Sequence, residues 1–319
     1  MFARPRIFAS KCLGFAPCRW NGVAIDDDFV RSLKGHVEFV TACPEAEAGL
    51  GIPRNPIRIV LVSGEKRLLQ PATGRDVTSE ISGFAVKLLE KLRDVDGFIL
   101  KDRSPSCGID NVKVYRKTEP GPSVERSHGF FGGEVIKRFA GFPVETEGRL
   151  TNYRIREYFL TRIYAFADFR AVKKSGKVSG LVDFHTRHKF LIMSHSQKEL
   201  SRLGRLLGGA KRPKDETLFR EYEEHLRLAM SRVPGAASNI NILTHALGYF
   251  KDKLESKEKK FYLDRLDDYK KKKIPLSVPL NIARSYIVRF DEPYLKRQSF
   301  FDPYPDVFAA VTDSGKGRT

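Results

Sequence analysis

The sequence predicts an α/β fold: an N-terminal Rossmann-like domain with a mostly parallel, three-layer sheet, followed by a C-terminal all-α domain. Two observations support this prediction. In the first half of the chain, short apolar runs alternate with amphipathic runs, as strands and helices do in parallel α/β sheets. In the second half, apolar residues recur every three or four positions, which is the period of an amphipathic helix.

The elements of the first half follow in turn along the chain. Strands are predicted at RPRIFAS, HVEFVTA, IRIVLVSG, DGFILK and NVKVYRK, because each is a short apolar run. Helices are predicted at DDDFVRSLKG and VTSEISGFAVKLLEKLRDV, which are amphipathic. GGEVIKRFAGFPVET is predicted to be one more helix and a short extended piece. We expect these strands to form one sheet, largely parallel.

A polar, glycine-containing segment separates the two halves. This segment, ETEGRLTN (Glu145 to Asn152), places the predicted domains at residues 1–148 and 149–319. Beyond it the helical period persists, with prolines between the segments. The predicted helical segments are NYRIREYFLTRIYAFADFRAV, GLVDFHTRHKFLIMSHSQKELSRLGRLLG, ETLFREYEEHLRLAMSRV, ASNINILTHALGYFKDKLES, EKKFYLDRLDDYKKKKIP and VPLNIARSYIVRFD.

The chain is basic, and the excess lies in its second half. The formal net charge is +18, of which residues 1–150 contribute +4 and residues 151–319 contribute +14. A polyanionic partner explains such a balance. The alternative is a helical domain whose surface is simply rich in lysine.

The composition of the chain also bears on the cellular compartment in which we expect the protein. No apolar run approaches the ~20 residues that span a bilayer, and the N-terminus lacks the apolar region and cleavage site of a secretory signal. We therefore expect a cytoplasmic protein with no membrane partner; the sequence does not specify an oligomeric state, and we expect a monomer. Four cysteines in 319 residues are too few for a disulfide framework, so the thiols are free for metal binding or catalysis.

The cysteines follow predicted strands. Cys12 comes after the first strand, Cys43 ends the second, and Cys107 lies just past DGFILK. Ligands of open parallel sheets bind beyond the carboxyl ends of the strands. We therefore expect these three thiols to converge on one rim, with Cys18 within reach of the same site.

Several explanations fit such a set of thiols. A structural zinc site normally has paired C-x2–4-C ligands, which this sequence lacks. A catalytic thiol needs a neighbouring base, and no histidine is close in sequence. An iron–sulfur cluster accepts dispersed cysteines, and three ligands to a [4Fe–4S] cluster leave one iron free for substrate. The structural alternative is that these cysteines are small buried apolar side chains.

Four motifs carry a resemblance to a known family. CLGFAPCRWNG, ACPEAEAGLGIPRNP, ATGRDVT and LKDRSPSCG resemble, in order and spacing, the motifs of the thiouracil desulfidase family over roughly residues 5–148. The second half resembles the helical domain often fused to such desulfidases, chiefly in LVDFHTRHKFLIMSHS. That fused architecture is associated with removing sulfur from 4-thiouridine in tRNA.

The resemblance implies a cofactor and a reaction. Cys12, Cys43 and Cys107 match the positions that hold a [4Fe–4S] cluster in the family. The open iron would act as a Lewis acid on the thiocarbonyl sulfur, water would attack the adjacent ring carbon, and sulfur would leave as sulfide. The reaction is hydrolytic overall and needs no net electron transfer.

Two catalytic residues are predicted near these ligands. Glu45, two residues past Cys43, matches the family's acidic residue and would serve as general acid or base. Ser104 and Ser106 bracket a proline on the Cys107 loop, and either hydroxyl could orient water or hold a pyrimidine edge. We assign Ser104 to catalysis and Ser106 to substrate binding. The structural alternatives are a solvated loop glutamate and loop-capping serines.

The first motif and the IPRNP segment supply further candidates. Many relatives carry CRYDG at this point, with tyrosine and aspartate where this chain has Trp20 and Asn21. Tryptophan keeps an aromatic surface for stacking, and asparagine removes the negative charge of the aspartate. The ligand assigned to Cys12 could instead be Cys18 if the loop folds differently. An anion or a neighbouring acid would be the partner of Arg54. The predicted substrate-binding residues are Cys18, Arg19, Asn21, Arg54 and Ser106.

The second half has its own candidates. On a helical wheel, His185, His188 and His195 fall at about 0°, 300° and 280°, which is one face. They lack the i, i+4 pair of zinc helices, so this face either contacts RNA or packs in the domain. YKKKKIP and GGAKRPK are candidate phosphate contacts or solvated charge runs.

Together with these features, the resemblance implies an enzyme, a [4Fe–4S]-dependent desulfidase of 4-thiouridine in tRNA whose basic helical domain binds the tRNA. A desulfidase of free thiouracil or thio-UMP is one alternative. A non-catalytic iron–sulfur sensor that binds nucleic acid is another. Salt-sensitive tRNA binding would favour the first, and sulfide release from a thiopyrimidine would exclude the sensor.

Overall fold

The computed structural model describes residues 2–208 and 215–309. The chain divides into two compact units: one extends to Ala167 and takes in the residues from Val307, and the other is Asp168–Asp306. This division falls later in the chain than the predicted boundary after residue 148. The assignment of separate activities to the two halves stays a prediction.

The first unit contains two sheets. The first sheet has the order β2-β1-β5-β8 and is parallel throughout, and the second has the order β4-β3-β6-β7 and is mixed. The predicted α/β class is confirmed. The strands are β1 (Arg6–Ser10), β2 (Glu38–Ala42), β3 (Arg58–Val62), β4 (Glu65–Leu69), β5 (Gly97–Leu100), β6 (Val112–Tyr115), β7 (Glu125–Ser127) and β8 (Val144–Thr146).

The second sheet corrects the prediction of a single sheet. Strand β3 pairs antiparallel with β4 through a tight turn in which Ser63 and Gly64 both have positive φ, at 50° and 84°. Two central residues with positive φ are typical of the hairpin turns that match strand twist. The other edge of β3 pairs with β6. Because both edges of β3 are taken, IRIVLVSG and NVKVYRK belong to a separate sheet.

Helix α2 packs between the two cores of the first unit. Its Ile81 belongs to the apolar cluster of the second sheet, and Ala85 and Leu89 to that of the first. On the opposite face of the first sheet, a Cβ at Gly97 would lie 2.8 Å from a side-chain methyl of Ile163, in the long helix α5. Helices therefore cover both faces of the parallel sheet. The first five helices are α1 (Asp28–Leu33), α2 (Thr78–Lys91), α3 (Phe130–Arg138), α4 (Glu147–Leu150) and α5 (Tyr153–Ser175).

The second unit is helical around an aromatic core. Tyr222 is fully buried, stacks on Phe169 with ring centroids 5.7 Å apart, and meets Phe184 edge-on. The predicted helical segments are observed, but the one from residue 180 to 208 is divided between several helices. The helices are α6 (Val178–Arg187), α7 (Lys189–His195), α8 (Gln197–Gly208), α9 (Asp215–Met230), α10 (Ala236–Gly248), α11 (Ser256–Lys270), α12 (Ser277–Arg289) and α13 (Pro293–Lys296).

None of the helices in residues 2–208 and 215–309 combines the length and apolarity needed to cross a membrane.

Candidate active site

The parallel strands of the first sheet end at one edge, where the residues that follow them line a cavity of about 240 Å³. Lys11 and Cys12 follow β1, Cys43 follows β2, and Lys101 and Cys107 follow β5. In an open parallel sheet this edge is where ligands bind. The topology therefore brings together residues that are far apart in the sequence.

The four cysteines are all buried, and all four line this cavity. Burial and the nearby Cys43 thiol raise the pKa of Cys12 to about 11 and that of Cys18 to about 12. Burial also raises the pKa of Cys107, although a hydrogen bond with Ser10 opposes this. The thiols of Cys12, Cys18 and Cys107 therefore keep their protons at neutral pH, so a metal that binds them must displace protons.

The Glu45 carboxylate is held on both of its oxygens. Ser106 Oγ donates a hydrogen bond to Oε1 at 2.6 Å. Arg54 contacts Oε2 with Nε at 2.9 Å and Nη2 at 2.8 Å. The side chains of Arg54 and Glu45 are only 3% and 13% exposed, so the ion pair lies within the protein. Of the two partners considered for Arg54, the structure gives it the neighbouring acid.

Arg54 also ties together the segments that carry two of the thiols. Its Nη1 donates to the Cys18 carbonyl at 3.0 Å and to the Gly51 carbonyl at 3.1 Å. Its Nη2 lies 3.9 Å from Cys43 Sγ. A guanidinium has several donors in a fixed plane, so one side chain can fix the carboxylate and both loops at once.

The two serines form a chain of hydroxyls that ends at Glu45. Because the Ser106 hydroxyl proton points to Glu45, Ser104 donates to Ser106 Oγ, at 3.0 Å. Ser104 Oγ in turn accepts the Cys107 backbone N–H at 3.1 Å. Ser106 is 1% exposed and Ser104 is half-buried, so Ser104 is the hydroxyl that a ligand in the cavity can reach.

The Cys107 loop is supported from behind by the start of α3. Backbone N–H groups of Phe131 and Gly132 donate to the Ser106 carbonyl at 2.9 and 3.0 Å. A Cβ on Gly132 would lie 2.3 Å from the Gly108 oxygen and 2.6 Å from that of Cys107. Only glycine permits this close approach.

Residue-by-residue inspection of the sequence missed an ion pair at the same rim. Lys101, directly after β5, pairs with Glu147, directly after β8, and lines the cavity. Glu147 Oε2 also accepts the Asp102 N–H at 2.8 Å. The signal that located the cysteines, a position at or beyond the end of a strand, applies to both residues.

One predicted substrate-binding residue lies apart from the cavity. Arg19 and Trp20 line it, whereas Asn21 is exposed and is not among the described residues that line it. The chain turns there, with the Gly22 N–H donating to the Arg19 carbonyl at 2.9 Å, and carries Asn21 outward. The substrate-binding role of Asn21 stays a prediction without support from the cavity.

The three histidines of the second unit do not form one face. The chain bends at His188, between α6 and α7, so His185 and His195 lie on different helices and the prediction of a shared helical face is wrong. His185 Nδ1 lies 3.0 Å from the Tyr222 hydroxyl, and burial lowers the pKa of His185 to about 4. His195 Nδ1 lies 2.6 Å from the Arg232 carbonyl oxygen.

His188 is a buried cross-link. Its Nε2 lies 2.7 Å from Asp168 Oδ2, and its Nδ1 lies 2.8 Å from Ser299 Oγ. Burial lowers the pKa of His188, although Asp168 opposes this. Burial alone would raise the pKa of Asp168, but hydrogen bonds from His188 and Arg187 outweigh it and lower that pKa to about 2. These contacts agree with the alternative in which His188 packs inside the helical domain.

The basic segments are partly neutralised where they are described. In YKKKKIP, Lys271 pairs with Asp267 and Lys273 with Asp268. GGAKRPK, apart from Gly208, lies outside the described residues. Phosphate binding by either segment stays a prediction.

Family models match both halves of the chain. One described as "2-thiouracil desulfurase" matches residues 7–147, and one described as "Protein of unknown function (DUF1722)" matches residues 189–305. A solved structure of "[4Fe-4S]-dependent thiouracil desulfidase TudS" is 26% identical, with a TM-score of 0.38, and the match covers 46% of this chain and 93% of that one.

Two curated bacterial proteins are similar to the chain. "Uncharacterized protein YbgA" of Escherichia coli (strain K12) is 26% identical over 156 residues, 48% of this chain and 92% of that protein. "Uncharacterized protein YbbK" of Bacillus subtilis (strain 168) is 33% identical over 153 residues, 46% of this chain and 98% of that protein. With this relative and the match at residues 7–147, the chain belongs, through its N-terminal half, to the 2-thiouracil desulfurase family.

Proposed function

We propose that the protein is a [4Fe–4S]-dependent desulfidase that replaces the sulfur of 4-thiouridine in tRNA with oxygen. The observation that carries the proposal is one cavity that holds four buried thiols together with the Glu45, Arg54 and Ser106 network. The match to the 2-thiouracil desulfurase family supports a thiopyrimidine as the substrate class.

The donor set at the cavity fits an iron–sulfur cluster. Thiolates are the usual ligands of such clusters. Within residues 2–208 and 215–309, no group of three His, Cys, Asp or Glu side chains is close enough to hold one metal ion. All four cysteines line one cavity, where a multi-iron group could take its ligands from several of them. Cys12, Cys43 and Cys107 would hold it, each at the end of a different parallel strand or on the loop that follows.

A bound cluster with one open iron would supply Lewis-acid polarisation of the carbon–sulfur bond. The proton transfers that the reaction needs would be carried out by side chains of the cavity. The overall exchange, C=S plus H₂O to C=O plus H₂S, is balanced without an oxidant or reductant. Attack by water on the ring carbon requires that water lose a proton, and the departing sulfur must gain protons.

The serine chain gives that proton a route. A water beside Ser104 can transfer a proton through the Ser104 and Ser106 hydroxyls to Glu45, which accepts the Ser106 hydrogen bond at 2.6 Å. Glu45 then acts as general base, and can return the proton to sulfur as general acid. Arg54 stabilises the carboxylate charge and fixes its orientation.

The substrate is proposed to be tRNA because the basic excess lies outside the desulfurase half. Residues 151–319 carry +14 of the net charge of +18. A protein acting on a base within folded RNA must bind phosphates and reach or extrude that base. Free thiouracil or thio-UMP, and a sensor without catalysis, are the competing outcomes of the test.

The test is anaerobic reconstitution of the full chain with iron and sulfide, followed by incubation with thiolated tRNA. Loss of the near-ultraviolet thiouridine band with matching release of sulfide is expected. Turnover of free 4-thiouracil or thio-UMP but not of tRNA would replace the RNA substrate with the small one. No sulfide from any thiopyrimidine would overturn the enzyme and leave the sensor.

A further inference from the structure

Three side chains of the second unit form a hydrogen-bonded line that the proposed desulfidase does not use. Asp168 lies on α5, His188 lies at the junction of α6 and α7, and Ser299 follows α13. His188 Nε2 lies 2.7 Å from Asp168 Oδ2, and His188 Nδ1 lies 2.8 Å from Ser299 Oγ. A hydroxyl, an imidazole and a carboxylate in this order are the parts of a serine nucleophile, its base and the acid that orients the base.

The positions of the protons follow from the acid at the end of this line. Burial alone would raise the pKa of Asp168, but hydrogen bonds from His188 and Arg187 lower it to about 2, so the carboxylate is ionised at neutral pH and only accepts. We therefore assign the His188 proton to Nε2. Burial lowers the pKa of His188, so Nδ1 carries no proton and accepts the Ser299 O–H. In this tautomer the imidazole can remove the hydroxyl proton.

The imidazole is shielded, whereas the serine is not. The side chain of His188 is 6% exposed, and the ring of Phe184 lies against it with centroids 4.2 Å apart. Ser299 is half-buried and forms the accessible end of the line. Because water has little access to the imidazole, the unprotonated Nδ1 stays bonded to the serine hydroxyl.

The loop that ends at Ser299 is fixed to both helices that meet at His188. The side chain of Gln298 is 1% exposed, and its Nε2 donates to the Thr186 carbonyl at 2.8 Å. Its Oε1 accepts the Phe190 N–H at 3.1 Å. These two bonds lie on either side of His188 in the sequence, so the loop cannot shift relative to the imidazole without breaking them. A catalytic pair requires such a fixed geometry.

A backbone donor lies next to the hydroxyl. Within the described residues, the Phe300 N–H forms no hydrogen bond, whereas the N–H groups on either side of it are bonded. The Ser299 N–H donates to the Arg187 carbonyl at 3.0 Å, and the Phe301 N–H donates to the Gln298 carbonyl at 3.1 Å. In many serine hydrolases the N–H that follows the nucleophile stabilises the oxyanion. The Phe300 N–H is the candidate for this role.

The arginines around the line are already paired, which bears on the class of substrate. Arg187 contacts Asp168 Oδ2 with Nη1 at 2.6 Å and Asp183 Oδ2 with Nε at 2.7 Å. Arg297 pairs with the other oxygen of Asp183. Because these cations are committed to carboxylates, they do not mark an anionic group as the target of Ser299. A neutral carbonyl carbon is the centre that a serine with an unprotonated base attacks.

We propose that Ser299, His188 and Asp168 form a second catalytic site, which hydrolyses carboxylic esters. Ser299 Oγ forms a bond to the carbonyl carbon, and its proton passes to His188 Nδ1. The bond from that carbon to the alcohol oxygen breaks, and the alcohol leaves with the proton. Water, deprotonated by His188, then releases the carboxylic acid and restores the serine. Asp168 is the positioning residue. The activity is independent of the proposed desulfidase.

A fluorescent fluorophosphonate tests the nucleophile, because an activated serine forms an O–P bond with it and displaces fluoride. The full chain is labelled at neutral pH, and mass spectrometry of its peptides locates the adduct. We expect the adduct at Ser299, together with hydrolysis of p-nitrophenyl acetate. Ser299→Ala should abolish the adduct and reduce ester hydrolysis to background. Ser285→Ala is the matched control, because this exposed hydroxyl of α12 donates to the Ile282 carbonyl at 2.7 Å, and should change neither.

Three further variants separate catalysis from structural cross-linking. His188→Gln should slow labelling at least about 100-fold, because the base is lost. Asp168→Asn should slow it at least about tenfold, because asparagine no longer fixes the tautomer. Arg187→Gln removes the other partner of Asp168 and should lower stability, but it keeps the three residues in place and should leave labelling nearly unchanged. Thermal unfolding of each variant measures the structural effect.

Each outcome decides the proposal. No adduct at Ser299 in the folded native chain, or ester hydrolysis that Ser299→Ala leaves unchanged, overturns it. An adduct that forms at the native rate in His188→Gln also overturns it, because the serine would then react without a base. Labelling rates that follow the unfolding temperature across all variants, Arg187→Gln included, would assign these residues to cross-linking alone. Labelling that depends on His188 and Asp168 but not on Arg187 supports the site, whether or not thiopyrimidines release sulfide.

Discussion

Two nitrogens of Arg54 contact the same oxygen of Glu45, Nε at 2.9 Å and Nη2 at 2.8 Å. The third nitrogen, Nη1, donates a hydrogen bond to the Cys18 carbonyl at 3.0 Å. The Glu45 carboxylate and the loop that carries the Cys18 thiol are therefore held by the same side chain. Lysine, with a single ammonium, cannot make these contacts together.

Arg54→Lys should reduce turnover more than it reduces stability. We expect a loss of about 10- to 100-fold in kcat, because Glu45 keeps a cation but loses its fixed orientation. Arg54→Met should also destabilise the fold by about 3–5 kcal/mol, since it leaves a buried carboxylate unpaired. Sulfide release and urea unfolding of both variants provide the measurements. Equal kcat for Arg54→Lys and the native chain would contradict a positioning role.

Glu45→Gln should slow turnover by about 10²–10⁴-fold, because the amide cannot accept the proton that Ser106 delivers. Iron content after reconstitution should be unchanged, since no thiol is altered. Ser106→Ala should give a similar loss by cutting the hydroxyl chain. If Ser106→Ala turned over normally, the route through the serines would be rejected while Glu45 could still act directly.

The thiols can be ranked by single substitutions. Cys107→Ala, Cys43→Ala and Cys12→Ala should each lose most of the reconstituted iron and the visible absorption of the cluster, because three ligands are needed. Cys18→Ala should retain the cluster, and it is the matched control because its thiol lines the same cavity. Loss of iron from Cys18→Ala but not from Cys12→Ala would exchange the roles of these two residues.

Gly132→Ala tests the support behind the Cys107 loop. The added Cβ would lie 2.3 Å from the Gly108 oxygen, so the loop must move; we expect a destabilisation of about 1–3 kcal/mol and weaker cluster binding. Gly83→Ala is the control, because Gly83 lies inside α2 and its Cβ would meet nothing within 4 Å. That change should stabilise by up to about 1 kcal/mol. Thermal unfolding compares the two.

Acid should weaken the second unit through its buried histidines. Burial lowers the pKa of His185 from 6.5 to about 4, so between these values the unfolded chain binds a proton that the folded chain does not. Stability therefore falls as pH falls through this window, by about 1–3 kcal/mol for this residue after allowance for solvent screening. His188 shifts in the same direction.

The acid dependence is measured as the urea midpoint of the far-ultraviolet circular dichroism between pH 7 and pH 4.5. His185→Gln should flatten the slope, and His245→Gln, at an exposed position of α10, should not. A slope that His185→Gln leaves unchanged would assign the effect to other groups.

Local pattern was sufficient for the elements of this protein. The apolar run at DGFILK and the helical period after residue 150 depend on neighbours in the sequence, so strand β5 and the helical segments of the second unit were predicted correctly, apart from the breaks within residues 180–208. The pattern did not show which strands pair with each other. IRIVLVSG and NVKVYRK have the same pattern as the strands of the first sheet, but β4 occupies the edge of β3 that would otherwise pair with that sheet.

By itself, the sequence determined the α/β and all-α halves, the position of each cysteine at or beyond a strand end, and the desulfurase motifs. Only the tertiary structure decided what those residues touch: Arg54 pairs with Glu45, Ser106 donates to that carboxylate, and Lys101 pairs with Glu147. Side-chain partners 9 to 61 residues apart are set by strand order and loop path, and periodicity carries information only over a few residues along one element.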